Sequence, residues 1–493
     1  MKTAFIVFYF CLLGFVALYG IHLYYLIFLY VKNRHRRLEP FEGALGRSEF
    51  PMVTVQLPIF NEKMVAVRLI KAVVAFDWPK DKLEIQILDD STDSTCDSIS
   101  DYLHARKHDG ILLNHLRRGE RTGFKAGALE YGLKLAKGNF VAIFDADNLP
   151  APDFLRKTIP YFNDDQAGLV QTRWGFLNRG ESLLSRTQAL QLDAHFIIEQ
   201  QARFWGKLVF NFNGTGGVWR KQAIIDGGGW QHDTLTEDLD LSFRAQMAGW
   251  KFIYDNTHIV PTELPNNISG YKTQQYRWAK GAVQTFFKLA PRILKSNLET
   301  HVKIAAMFHL TNKFVSLALF ILGILLIPAL YFRMESGFVK LLFIDLPIFL
   351  AGSGSMSLFY SLAYKAERKE KKLSDLFTLP LLTSIGVALA VNNSRALISA
   401  LMRRTSPFNR TPKSGSVDGG YKSTPVDYLT GVDRTTYFET ALTFYSFLAI
   451  TLAVYLQLYF AIPFLITFFV GYLYFSFKGW SEVIFNQRVA SSR

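Results

Sequence analysis

The sequence predicts a multi-pass α-helical membrane protein with a soluble α/β domain inserted between its transmembrane helices. Three observations support this fold class. Charged residues make up only 19% of the 493 positions, and aromatic residues make up 15%, a balance typical of membrane proteins. Residues 4–31 contain no Asp, Glu, Lys or Arg, and further apolar runs begin beyond residue 310. Between residues 47 and 284, strand-like and helix-like segments alternate, as they do in an open α/β sheet.

The N-terminal apolar run predicts a helix that crosses the bilayer. At about 1.5 Å per residue, residues 4–31 are long enough to span a hydrocarbon core of roughly 30 Å. Basic residues follow directly, which indicates a cytosolic flank, whereas a signal peptide would be shorter and would end at small residues. We therefore expect residues 1–36 to form a transmembrane helix with a basic flank and residues 47–284 to form a cytosolic domain.

The C-terminal half predicts four further spans. Residues 314–364 contain two apolar runs, and residues 438–493 contain a run long enough for a hairpin of two helices, followed by a tail. Residues 365–437 differ, because basic segments flank their apolar stretch on both sides and residues 392–395 make its centre polar. We expect a cytosolic interface helix or a re-entrant helix there, and amphipathic interface helices over residues 285–313.

The charge balance is consistent with a membrane protein. Lys and Arg number 55 against 41 Asp and Glu, which gives a formal net charge of +14. Such an excess suits nucleic acid or an anionic membrane face. Because the basic residues flank the apolar runs, the membrane explains them and we expect no nucleic-acid partner. The two cysteines are too few for a disulfide framework or a cysteine metal site.

Polar clusters follow three of the five predicted strands, where an open α/β sheet binds its ligands. These clusters are residues 58–62, 89–93 and 145–147. The predicted strands are residues 53–57, 84–88, 111–116, 140–144 and 169–171, and the helices between them are residues 64–76, 95–107 and 125–136.

The carboxylates of these clusters predict a metal and nucleotide site. Asp145 and Asp147 lie two residues apart, so on a strand their side chains share one face and can address one ion. Together with phosphate oxygens they suit Mg²⁺ or Mn²⁺. Asp89 and Asp90 are candidates for contacts with the base or ribose, and Lys125, at a helix start, for the diphosphate. A turn or helix cap is the alternative for the Asp pair, and a solvated lysine is the alternative for Lys125.

Two later segments predict the remaining chemistry of a sugar transfer. Asp238, which follows Glu237, can take a proton from an acceptor hydroxyl, and Arg277 can stabilise a departing diphosphate. Trp278 offers an aromatic face to a sugar ring, and Gln274 can hydrogen-bond sugar hydroxyls or diphosphate. Taken separately, Trp278 is equally explained by packing and Arg277 by a salt bridge.

In order along the chain, Asp90, the pair Asp145 and Asp147, Asp238 and residues 274–278 reproduce a known pattern. It resembles the D, D, D, QxxRW pattern of processive family 2 glycosyltransferases, the cellulose, chitin and hyaluronan synthases. Flanking segments such as Lys125-Ala126-Gly127 look most like the cellulose-synthase-like branch with mannan and glucan synthases.

The resemblance implies a GT-A glycosyltransferase domain, a UDP-glucose or GDP-mannose donor, a divalent metal ion and growth of a β-linked chain with inversion. It implies a general-base role for Asp238, a metal-ligand role for Asp147 with Asp145, and nucleotide contacts for Asp89 or Asp90. It implies contacts with the acceptor or the diphosphate for Gln274, Arg277 and Trp278, and an acceptor contact for Glu237.

A weaker resemblance concerns residues 408–413. Phe408, Thr411 and Lys413 match the F-x-V-T-x-K gating loop of cellulose synthases, although Arg410 replaces its Val. The resemblance implies a lid over the bound donor. An ordinary basic loop at the membrane face is the alternative.

The combined prediction is a membrane-bound β-glycan synthase, coupled to export of its product. The principal alternative is a non-processive enzyme that glycosylates a lipid or a polyprenyl phosphate. A transporter or receptor that merely senses a nucleotide is a third possibility, disfavoured by the apparent base, metal pair and acceptor platform. The short termini favour a bacterial inner membrane over the Golgi, and accessory subunits are left open.

Overall fold

The structure, a computed structural model, describes residues 2–38, 50–105, 110–334, 346–367, 378–404, 413, 415 and 433–491. Its soluble part is built on a mixed sheet with the strand order β3-β2-β1-β4-β6-β5-β7. Neighbouring strands are parallel except that β6 runs antiparallel to both β4 and β5. The strands are β1 Val53–Ile59, β2 Leu83–Asp89, β3 Leu112–Leu116, β4 Phe140–Ile143, β5 Ala167–Phe176, β6 Gly217–Arg220 and β7 Lys251–Thr262.

Helices cover the sheet and form the rest of the described chain. In the first half these are α1 Lys2–Asn33, α2 Ala66–Val74, α3 Thr95–His104, α4 Phe124–Leu135, α5 Phe154–Thr158, α6 Leu183–Asp193, α7 Gln201–Trp205, α8 Lys221–Asp226 and α9 Glu237–Met247. In the second half they are α10 Ile268–Lys295, α11 Thr300–Thr311, α12 Phe314–Ile324, α13 Leu326–Met334, α14 Ser355–Glu367, α15 Thr378–Leu401, α16 Thr435–Tyr455 and α17 Ile462–Ser491. Short π-helical segments occupy Ala194–Gln200 and Leu350–Gly354.

The sheet separates two apolar layers. Val53, Val55 and Leu57 of β1 pack into the first layer with α2, whereas Val141 and Ile143 of β4 pack into the second with α4. Both faces are covered, yet β1 and β2 alternate apolar with buried polar residues, which pair with each other: Thr54 Oγ1 donates to Glu84 Oε2 at 2.6 Å, and Gln56 Nε2 donates to Gln86 Oε1 at 3.0 Å. The covered sheet forms a rigid support for the loops at its carboxyl edge.

The five predicted strands coincide with β1 to β5, but the sequence prediction missed β6 and β7. Strand β6 has only four residues, too few for a visible alternation. Strand β7 carries polar residues from Asp255 to His258, where its pairing with β5 shifts register. Both strands form because β5 offers them a long partner, which is a non-local effect.

Among the described residues, five helical segments are long and apolar enough to cross a membrane: Thr3–Asn33, Leu346–Glu367, Thr378–Leu401, Thr435–Tyr455 and Tyr459–Ile484. Helices α11 and α12 together pass the same test as a pair bent by 51°. The chain is therefore compatible with a multi-pass membrane protein, and the depth of each helix in the bilayer stays a prediction.

Three predicted boundaries differ from the structure. Residues 378–401 form one continuous helix, α15, whose polar centre meets α10: Asn392 Nδ2 donates to the Lys272 carbonyl at 2.9 Å. A tertiary partner, rather than a break in the helix, explains the polar residue Asn392. The first of the two spans predicted within residues 314–364 is divided at Leu325 into α12 and α13. Helix α10 runs through residue 284 to Lys295, so it joins the soluble domain to the membrane-associated part without interruption.

Candidate active site

A cleft opens at the carboxyl edge of the sheet. It brings together most of the predicted site residues, which come from six different segments of the chain. Phe408 and Thr411 lie outside the described residues, and Asp89 does not line the cleft. The predicted residues that line it are Asp90, Lys125, Asp145, Asp147, Glu237, Asp238, Gln274, Arg277, Trp278 and Lys413.

A turn, not a strand, presents Asp145 and Asp147. Strand β4 ends at Ile143, so the prediction that strand alternation aligns the two carboxylates was wrong in its reasoning. The Asp145 backbone N–H donates to Asn148 Oδ1 and to Thr215 Oγ1, each at 2.8 Å. These hydrogen bonds hold the turn against β6 and direct both aspartates to the cleft.

Asp147 is 5% exposed and its Oδ2 is the focus of three hydrogen bonds. Thr262 Oγ1 donates at 2.5 Å, the Glu263 N–H at 2.9 Å and Lys413 Nζ at 2.8 Å. Burial alone would raise the pKa of this carboxyl, but the Lys413 ammonium and these hydrogen bonds outweigh it and hold the pKa below its usual value. Asp147 is therefore a fixed anion.

The aspartate pair fits a divalent cation. Both residues offer hard carboxylate oxygens in one cleft, the ligand type that Mg²⁺ and Mn²⁺ prefer. Each aspartate forms an ion pair with a lysine. Lys413 Nζ lies 2.8 Å from Asp147 Oδ2, and Lys125 Nζ lies 2.5 Å from Asp145 Oδ1. The described hydrogen bonds to the Asp147 carboxylate all end on Oδ2, so Oδ1 is the oxygen that would bind an ion.

Lys125 links the aspartate turn to the loop before β6. Besides Asp145, its Nζ donates to the Gly214 carbonyl at 2.9 Å. Burial acts to lower the pKa of Lys125, but the carboxylates of Asp145, Glu237 and Asp238 outweigh burial and raise it. The side chain therefore stays cationic at the floor of the cleft.

Asp238 stands in the first turn of α9, facing the aspartate turn across Lys125. Its Oδ1 accepts the Leu239 N–H at 2.8 Å. Burial and the neighbouring Glu237 carboxylate raise its pKa to about 7, against the opposing effect of Lys125. A carboxylate with a pKa near neutrality is well matched to accept a proton.

Gly214 makes room for the Asp238 side chain. It adopts a φ of +80°, and a Cβ built on it would lie 3.0 Å from Asp238 Oδ2 and 3.4 Å from Lys125 Nζ. The left-handed backbone and the close approach both favour glycine. A glycine here thus lets the Asp238 carboxylate and the Lys125 ammonium group lie close to the backbone.

Helix α10 supplies the opposite wall. Gln274, Arg277 and Trp278 are spaced i, i+3 and i+4 along it, so they share one face, and all three line the cleft. Burial lowers the pKa of Arg277, while the carboxylates of Glu237, Asp145 and Asp238 act to raise it. An arginine, an amide and an indole ring therefore face the acidic wall of the same cavity.

Asp89 and Asp90 have different environments. Asp90 lines the cleft, and Arg118 holds both its oxygens, with Nε donating to Oδ1 at 2.9 Å. Asp89 is buried: Oδ1 accepts the Ser91 N–H, and Oδ2 lies 2.9 Å from His115 Nε2. The prediction that Asp89 contacts the nucleotide is therefore not supported by the structure, which gives it a role in holding the loop that carries Asp90.

Several lining residues were not predicted. Arg121 lies 3.3 Å from the centroid of the Phe60 ring and forms a flat wall beside Asp90. Glu263 follows β7 and forms an ion pair with Arg68, whose Nη2 lies 2.9 Å from Glu263 Oε1. Phe60 belongs to a polar cluster that the sequence had marked, whereas Glu263 was missed because β7 was missed.

Comparison with known proteins gives matches to both the domain and the chain. The sequence model "Glycosyltransferase like family 2" matches residues 51–281. Glucomannan 4-beta-mannosyltransferase 1 of Oryza sativa subsp. japonica is 39% identical over 315 residues, which are 62% of this chain and 60% of that protein. Glucomannan 4-beta-mannosyltransferase 9 of Arabidopsis thaliana is 38% identical over 308 residues, 60% of this chain and 58% of that protein. The chain thus spans about 60% of the length of these relatives.

A solved structure gives a match of fold. The mannosyltransferase PcManGT from Pyrobaculum calidifontis, in complex with GDP-Man and Mn²⁺, aligns with a TM-score of 0.50 at 20% identity, covering 79% of this chain and 100% of that one.

Both named relatives are plant proteins, so the comparisons give no support to the expectation of a bacterial inner membrane. The predicted family resemblance, however, is confirmed. The family match, the GT-A-like mixed sheet and the acidic cleft at its edge identify residues 51–281 as a glycosyltransferase family 2 domain.

Proposed function

We propose that this chain is a membrane-bound, inverting glycosyltransferase that transfers mannose from GDP-mannose to the end of a growing β-linked glycan. The observation that carries the proposal is the arrangement of the cleft. Asp238, with a pKa of about 7, shares one cavity with the aspartate pair and with the Arg277 and Trp278 face of α10.

The acceptor reacts at Asp238. Its hydroxyl would donate to the Asp238 carboxylate, which accepts the proton as the hydroxyl oxygen attacks the anomeric carbon of the donor. The bond between that carbon and the diphosphate oxygen breaks, and the electron pair leaves with the nucleoside diphosphate. Attack from the face opposite the leaving group inverts the anomeric centre. Trp278 offers a flat apolar surface on which the terminal sugar can lie during this step.

The leaving diphosphate would meet positive charge within the same cleft. Lys125 and Arg277 are the chain's own cations here, joined by Lys413. Asp145 and Asp147 would hold Mg²⁺ or Mn²⁺, and the bound ion would neutralise charge that develops on the diphosphate. The predicted lid role of residues 408–413 remains part of this proposal, supported by the contact of Lys413 with Asp147.

The choice of mannose rests on the relatives. Their printed names describe glucomannan 4-beta-mannosyltransferases, and the Pyrobaculum calidifontis enzyme was solved with GDP-Man and Mn²⁺. We infer the same donor and a β-1,4-linked mannose-containing product, with UDP-glucose as the alternative donor. The basic flank of α1 supports a cytosolic position for the domain.

Membranes that contain the protein provide the test. Labelled GDP-mannose and UDP-glucose are supplied separately with Mn²⁺, and the products are divided into a fraction soluble in organic solvent and a polymer. We expect label from GDP-mannose in a polymer that an endo-β-mannanase digests. Label in the organic fraction alone would favour transfer to a lipid, and no incorporation above membranes lacking the protein would contradict the proposal.

A further inference from the structure

Helix α10 connects the catalytic cleft to the membrane-associated helices through separate faces. Gln274, Arg277 and Trp278 face the cleft. Lys272, Tyr276 and Lys280 are spaced four residues apart and therefore lie along another stripe of the helix. The contacts given below for this second stripe are with α15, α16, α17 and the segments at their ends.

Lys272 forms a buried contact between this stripe and α16. The residue is 1% exposed, and its Nζ lies 2.6 Å from Glu439 Oε2 and 3.3 Å from Thr435 Oγ1. Both partners belong to α16, and the Glu439 side chain is fully buried as well. The ammonium also lies 5.4 Å from the centroid of the Phe475 ring on α17.

Further contacts join α10 to α15 and α17 and support the same orientation of α10. Lys280, which is fully buried, donates to Ser399 Oγ at 3.0 Å and to the Arg404 carbonyl at 2.6 Å, at the end of α15. Arg395 of α15 lies over the Tyr276 ring at 5.0 Å. At the start of α10, Glu482 of α17 accepts from Ser269 Oγ at 2.7 Å and from the first backbone N–H groups of the helix.

The side of α10 that carries Gly281 and Gln284 contacts the segment that precedes Asp238. A Cβ on Gly281 would lie 2.9 Å or less from three atoms of Thr236, the residue before α9. Gln284 Oε1 accepts the Leu235 N–H at 3.0 Å. A rotation or shift of α10 would therefore move both the acceptor face and the segment that presents Asp238.

We propose that the buried Lys272–Glu439 pair is a positioning device that fixes the acceptor face of α10 relative to the membrane-associated helices, so that the acceptor hydroxyl meets Asp238. The proposal rests on the proposed transferase function, and neither residue touches the substrate. A positioning role predicts loss of acceptor use while the donor site, which is built on the sheet, stays intact. Removing one partner alone would leave a buried unpaired charge and endanger folding.

The test therefore removes both charges together. In the double variant K272M/E439L an apolar pair replaces the ion pair, an exchange that buried pairs often tolerate. Two rates are measured in membranes at saturating GDP-mannose: transfer to an added manno-oligosaccharide, and release of GDP without transfer. We expect kcat/KM for the oligosaccharide to fall about ten- to hundred-fold, with GDP release within about two-fold of wild type.

Two further variants separate positioning from packing. The exchange K272E/E439K rebuilds the pair in reverse and should recover most of the acceptor kcat/KM. The matched control R173M/E367Q removes a different ion pair, of 2.8 Å between β5 and α14, which does not involve α10, and should keep the wild-type ratio of transfer to release.

The proposal would be overturned by a K272M/E439L variant that transfers as wild type does, by one that fails to accumulate, or by equal loss in the R173M/E367Q control. A wild-type protein that neither transfers nor releases GDP would instead contradict the proposed function.

Discussion

Replacing Glu237 with glutamine tests the electrostatics of Asp238, the proposed catalytic base. Burial is the largest cause of the raised pKa of Asp238, and the Glu237 carboxylate is the next. With a pKa of about 7, the ionised and active fraction of Asp238 rises from about a tenth at pH 6 to about nine tenths at pH 8. The wild-type rate should therefore rise about ten-fold over this range. E237Q removes the like charge but keeps the shape of the side chain, so the pKa of Asp238 falls. The ratio of the rate at pH 8 to the rate at pH 6 therefore moves towards one.

The assay is the pH dependence of kcat/KM for a manno-oligosaccharide at saturating donor, with each variant scaled to its own maximum. The matched variant K125M removes a cation that lowers the pKa of Asp238, so its profile should shift to higher pH. Asp145 and Arg277 also face Asp238 and are unchanged in both variants. A wild-type profile that is flat between pH 6 and 8, or shifts of both variants in the same direction, would refute the reasoning.

Three further substitutions test other parts of the cleft. D147A should weaken GDP binding in the presence of Mn²⁺ but not in its absence, and calorimetry showing equal affinities with Mn²⁺ would contradict the metal role. W278A should reduce transfer to the oligosaccharide more than it reduces GDP release, whereas failure to accumulate in membranes would assign Trp278 to packing. G214A should cost about 1–2 kcal/mol of stability because its φ is +80°, and should slow transfer by crowding Asp238; unchanged melting and turnover would show that the site tolerates a side chain.

The central strands and the order of the site residues could be predicted because they depend on local pattern. Strand β4 is an apolar run, β1 and β2 alternate apolar with polar residues, and polar residues at the strand ends collect at one edge of the sheet. Adjacent residues at a strand end point to opposite sides, which is why only one of Asp89 and Asp90 reaches the cleft. The sequence could not decide which one, since that depends on Arg118 and His115 of a neighbouring segment.

Other features depend on distant partners and had no local signal. The turn that aligns Asp145 with Asp147 is held by Thr215, far along the chain. The polar centre of α15 resembled a membrane break, but it is explained by contact with α10. Glu263 was missed together with β7, whose polar middle is stabilised by pairing with β5.

The most direct measurement of whether the cleft is catalytic compares GDP binding and mannosyl transfer in the D238N variant. Asparagine keeps the shape of Asp238 but cannot accept the acceptor proton. Transfer should fall about 10²- to 10⁴-fold while GDP affinity with Mn²⁺ stays within about two-fold, and the control D101N, at an exposed position of α3, should match wild type in both. Transfer by D238N near the wild-type rate would contradict the assignment of Asp238 as the base.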